Sequence, residues 1–180
     1  MKNEQKTPLT GKMLKLAVAR DVRQLILEIG LYQDTALEIV DKGLDVLFLA
    51  NGKQLHEIVP QVLPNCKACA IGACLLAVVR IDNNFKIKSN FASKGIVDHR
   101  EAFDRVAEVF GAKQTCLIEI AYGQADIVED TVVSYAQNYI RMDKGDVLDA
   151  IQFGQKYNFD HQRLAAIMQN IIDNDGVFKP

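Results

Sequence analysis

A chain of 180 residues that is 49% hydrophobic and 24% charged has enough apolar mass for one packed core, which excludes an intrinsically disordered protein. Lys and Arg number 21 against 23 Asp and Glu, a net charge of -2, so composition makes no case for a nucleic-acid partner held by phosphate neutralisation.

The N-terminus, residues 1–9, is polar and charged and reads as a flexible tail without the apolar stretch of an export signal. Thr10 is positioned to cap a first helix running to about Glu28. Leu14, Val18, Val22, Leu25, Ile26 and Ile29 recur there at helical period, and Gly30 stops it. Lys12, Lys15, Arg20 and Arg23 lie on the other side, a charge set that fits a solvated helix face or, less simply, a binding face. Gln33–Val40 reads as a short helix ended near Gly43. Leu44–Ala50 fits a strand or a buried helix equally, and Asn51-Gly52 could close a hairpin there. A segment over Gln54–Val62 follows, and Pro64-Asn65 breaks the chain.

Asn65 is the expected N-cap of a central helix, Cys66–Arg80, whose near-absence of charge predicts a fully surrounded element. Within it the longest apolar run, Ala68–Val79, falls short of the roughly 18 residues of a membrane span, so no membrane partner is expected. Arg80–Lys94 reads as a polar surface loop with a brief strand near Phe85–Ile87. Asp98 with Glu101 resembles a capping box for a helix to Phe110. Further helices are expected over Gln114–Tyr122, Ile127–Met142 and Val147–Tyr157, the last capped by Asp146 and weakened by Gly154. A final helix starts at Asp160, carries Leu164, Ile167, Met168, Ile171 and Ile172 on one face and closes at Asn174-Asp175-Gly176. Val177 and Phe178 then act as an apolar anchor. The expectation is an all-α fold: a single helical domain over residues 10–180, with about seven or eight helices packed around the Cys/Ala/Gly-rich one.

Four constellations could carry chemistry. Cys66 and Cys69 have the C-x2-C spacing of half a zinc site, with no second pair to complete it. Four cysteines are too few for a disulfide framework, which points to a reducing cytoplasm and to cysteine as a small core residue. A Cys/His hydrolase would need His56 or His99 brought to Cys69 or Cys74 by the fold. Glu119, Asp126, Glu129 and Asp130 cluster beside Tyr122, as paired carboxylates that bind Mg²⁺ or exchange protons do, although helix starts also collect acids. Tyr122, Tyr135 and Tyr139 offer aromatic faces for a ligand or a partner. Asp173-Asn174-Asp175-Gly176 lacks the rest of a calcium loop, and no nucleotide, zincin or serine-hydrolase motif is present. No residue is therefore assigned a catalytic role, and no cofactor is expected.

Asn65-Cys66, the stretch from Ala68 to Leu76 (A-C-A-I-G-A-C-L-L) and Val79-Arg80 resemble the central segment of a family of bacteriophage and prophage proteins of unassigned activity. Leu16–Val22 is similar to that family's first helix. Arg163–Pro180, with Phe153-Gly154 upstream, is similar to its closing helix and tail, and Leu117-Ile118-Glu119 with Ala121-Tyr122 matches more loosely. The chain departs from the pattern between Asp126 and Asp146. The resemblance implies a phage accessory protein in the cytoplasm of a bacterial host, acting by binding in counter-defence or host takeover. It would inhibit a host protein or sequester a small nucleotide signal, with self-association left open. A small nucleotide-directed hydrolase using the acids or a Cys/His pair is the alternative, and a zinc-stabilised interaction module through Cys66 and Cys69 is a second.

Overall fold

The computed structural model describes residues 9–31, 37–39, 66–81, 96–97, 99–123 and 141–180. The chain is mainly helical, as its periodicity predicts. Among the described residues the helices are α1 (Gly11–Leu25), α2 (Ala70–Ile81), α3 (His99–Phe110), α4 (Ala112–Gly123), α5 (Lys144–Gln155) and α6 (Asp160–Asp173). None of them is long and apolar enough to cross a membrane.

α2 is the axis. Every residue from Ala70 to Val79 is buried, so the helix has no solvated face and must be covered by protein on all sides. α1 lies along it through Val18, Ala19, Val22 and Leu25, all fully buried, while α3 and α4 cover other sides. α6 packs on α1 and α4, and α5 packs most extensively on α4. α4 is also buried nearly all round, from Thr115 to Tyr122 with only Glu119 half-exposed, which explains why it shows no amphipathic stripe. The tail end docks as the sequence predicts, with Phe178 2% exposed.

A small sheet accompanies the helices, in the order β1-β3-β2-β4, from β1 (Gly30–Leu31), β2 (Leu37–Ile39), β3 (Cys66–Ala68) and β4 (Ile96–Val97). β3 pairs in parallel with β1 and antiparallel with β2, and β2 pairs antiparallel with β4. Two expectations are corrected here. The central helix begins at Ala70, not Cys66, because Cys66–Ala68 is taken up by strand pairing on both edges. Leu37–Ile39, expected within a helix, is a strand for the same reason. Such three-residue strands exist only through their partners, and local periodicity carries no trace of them.

Boundaries move elsewhere too. Thr10 is the N-cap of α1 by backbone only, with no side-chain cap bond. α5 starts three residues early because Asp143, rather than Asp146, is its cap, its Oδ1 accepting the Gly145 N–H at 2.7 Å. Phe159 precedes α6, and Asp160 occupies its first turn. Gly154 is no weak point. A Cβ there would lie 2.0 Å from the Ala121 carbonyl oxygen, so this glycine is what lets α5 meet α4 so closely. The expected elements at 44–50, 54–62, 85–87 and 127–140 lie outside the described residues, as do the tail 1–8 and Asp98.

Candidate functional site

Cys69 stands where β3 hands over to α2. Its carbonyl accepts the Ala73 N–H at 2.9 Å, the first hydrogen bond of the helix, so Cys69 rather than Asn65 is the N-cap. Burial pushes its thiol above the ordinary value. Backbone hydrogen bonds from Gly72 and Ile71 pull the other way without winning, and the Glu119 carboxylate adds to the rise. Cys74, fully enclosed in α2, is pushed up by the same desolvation and by Cys69. Cys116 on α4 is pushed up to about 12 by burial and by Glu119. All three are neutral thiols at neutral pH, and the thiolate is the nucleophile and metal ligand.

Among the described residues no group of three or more His, Cys, Asp or Glu side chains is arranged to hold an ion. Cys66 is the first residue of β3, and Cys69 is buried at the helix cap. His56 lies outside the described residues, and His99 opens α3. His161 is exposed on the first turn of α6, its ring stacked on Phe159 with centroids 5.7 Å apart.

Of the acid and tyrosine set, the described members are Glu119 and Tyr122; Asp126, Glu129, Asp130, Tyr135 and Tyr139 lie outside the described residues. Glu119 is half-exposed on α4, and its charge acts on Cys69 and Cys116. Tyr122, one turn further on, is 2% exposed, and its hydroxyl has no hydrogen-bond partner among the described residues. Burial first, then the Asp160 carboxylate and Cys69, push the phenol above its ordinary value, with Arg163 opposing them. Tyr122 is thus a core residue with a polar end, not an exposed stacking face.

Arg163 organises this corner. It is 4% exposed and spends its donors on three backbone carbonyls. Nε donates to Gly154 at 3.1 Å, Nη1 to Tyr122 at 2.8 Å and Nη2 to Tyr157 at 2.9 Å. Nη1 also meets Asp160 Oδ1 at 3.1 Å. The ends of α4 and α5 are therefore capped by one guanidinium from α6, whose planar fork suits several acceptors at once. No motif in the sequence singles out Arg163. The available signal was its position one turn before Ile167 on the apolar face, three residues after an acid.

The basic face of α1 is partly used by neighbours. Lys12 pairs with Asp175 at 2.8 Å, and Arg23 donates to Gln169 on α6. Arg20 is exposed. No protein-family model, no curated protein and no solved structure matches the chain.

Proposed function

We propose that this chain acts by binding: a phage accessory protein in the cytoplasm of a bacterial host that inhibits a host protein or sequesters a small nucleotide signal, in counter-defence or host takeover. The observation that supports binding over catalysis is the state of the described reactive side chains. Cys69, Cys74 and Cys116 are buried neutral thiols, and the Tyr122 phenol is driven further from ionisation, so none of them is primed as a nucleophile or base at neutral pH. The phage setting rests on the resemblance of the central and closing helices. The proposed contact residues are Glu119, Asp126, Glu129, Asp130, Tyr135 and Tyr139, with Tyr122 of the same stretch packed inside.

Incubation of the purified full-length chain with nucleoside mono-, di- and triphosphates and cyclic dinucleotides, followed by ³¹P NMR, tests the class of function. Unchanged nucleotides are expected. Turnover that disappears in Glu129→Ala would establish the hydrolase reading instead.

A further inference from the structure

α1 buries one face and leaves a second apolar stripe in solvent. Val18, Ala19, Val22 and Leu25 are in the core, whereas Met13 is 59% and Leu27 86% exposed. With Leu9 these make three of the four exposed large apolar side chains among the described residues, so exposure of this kind is concentrated on and beside one helix. Single exposed apolar residues need no explanation, but regular spacing does. Met13, Ala17, Arg20, Gln24 and Leu27 follow one another at alternating intervals of four and three, the seam spacing of a helix that packs along a second helix. Leu27 lies in the turn that prolongs α1, where the Ile26 N–H donates to the Val22 carbonyl at 3.0 Å and the Leu27 N–H to the Gln24 carbonyl at 3.1 Å. At 1.5 Å per residue the seam is about 21 Å long.

Charge decides what fits it. The whole chain has a net charge of -2, yet α1 carries Lys12, Lys15, Arg20 and Arg23. Lys12 is paired with Asp175, Arg23 donates to the neutral Gln169, and Asp21 lies 3.5 Å from Arg80. Arg20, at the middle of the seam, is exposed and has no ion pair among the described residues. A second copy of the chain is a poor match, because pairing the seam with itself in register sets Arg20 against Arg20 in either direction. A bilayer needs a broad apolar face, and the broad apolar face of α1 is in the core. Nucleic acid needs cations on successive phosphates, and the seam holds one. An amphipathic helix with a carboxylate between apolar residues satisfies every position, its acid accepting from the Arg20 fork.

We propose that the Met13–Leu27 seam of α1 docks an amphipathic helix of a host protein, with apolar residues against Met13 and Leu27 and a carboxylate against Arg20. The proposal rests on the host-protein branch of the binding reading and adds a second contact surface to it.

The test places p-benzoylphenylalanine at Met13, at Leu27, at Glu129 or, as a control on the exposed side of α5, at Gln152. Each full-length variant is irradiated in phage-infected bacteria, and the cross-linked peptides are sequenced. Met13 and Leu27 should be joined to opposite ends of one acidic helical segment of a single host protein, and Gln152 should not. That segment, synthesised as a peptide, should bind the purified chain at least about tenfold more weakly in Arg20→Glu, and less than about threefold more weakly in Arg20→Lys. Both substitutions should leave the thermal midpoint unchanged, since Arg20 is exposed. Cross-links from Glu129 alone would overturn this proposal and leave the binding reading standing, while cross-links from no position would overturn both. Equal cross-linking from Gln152, adducts to lipid, nucleic acid or a second copy, or a peptide indifferent to Arg20→Glu would each overturn the proposal.

Discussion

Arg163 on α6 donates to the carbonyl of Tyr122, 41 positions earlier, at 2.8 Å, and so caps a helix to which it does not belong. The same guanidinium holds Gly154 and Tyr157, which makes it the common fixed point of α4, α5 and α6. Arg163→Met should destabilise the fold by about 3 kcal/mol, because buried carbonyls lose their donors and Asp160 loses this ion pair. Arg163→Lys should recover only part of that, since an ammonium cannot present the planar fork. Urea unfolding of the two variants against the parent chain measures both effects.

Much of the helical frame was legible. α1, α3 and α6 each bury one stripe, and their apolar residues recur at the period that burial requires. Illegible features were those fixed by distant residues. β3 looked like the start of α2 because Cys66–Ala68 continues an apolar run, and only pairing with β1 and β2 makes it a strand. Gly154 read as a defect because its neighbour, Ala121, is far away in sequence. Of the candidate site, Glu119 and Tyr122 do share α4, where the Glu119 charge acts on Cys69 and Cys116, yet Tyr122 is interior. Arg163 was hidden because a single arginine on an apolar face carries no motif.

Gly154→Ala tests the close approach of α5 to α4. A methyl group 2.0 Å from the Ala121 carbonyl oxygen cannot be relieved by a rotamer change, so the two helices must part. The expected loss is at least about 3 kcal/mol, at the upper end for overpacking, read as a lowered thermal midpoint. A variant as stable as the parent would show that the helices are not in contact there.

Asp21 on α1 predicts a pH dependence. One oxygen lies 3.5 Å from Arg80 Nη2, while the other is buried with no partner among the described residues. Burial raises its carboxyl above the ordinary value, Arg80 opposes this and Glu28 adds to it. A raised carboxyl favours the folded state while protonated, and that advantage is lost as pH rises from the unfolded value through the folded one. Asp21→Asn should therefore be no less stable than the parent at neutral pH, with any gain disappearing below about pH 4, where the unfolded carboxyl also protonates. Chemical denaturation across that range decides it. A variant destabilised at neutral pH would mean that the Arg80 pair outweighs desolvation.

The buried thiols predict inertness. Cys69, Cys74 and Cys116 should resist iodoacetamide in the native protein at pH 7 and react once it is unfolded in urea. Metal analysis of the purified protein should return less than about half an equivalent of zinc, given how tightly structural zinc binds. Rapid native labelling of Cys69 would reopen the nucleophile reading.

The binding claim itself is tested most directly by native mass spectrometry of the full-length protein recovered from phage-infected bacteria. The account predicts an added mass, either of a host protein or of a small nucleotide, that is lost when Glu129, Asp130 and Tyr135 are replaced together by alanine while the chain stays folded. A bare chain at every stage of infection, or an adduct untouched by those substitutions, would contradict it.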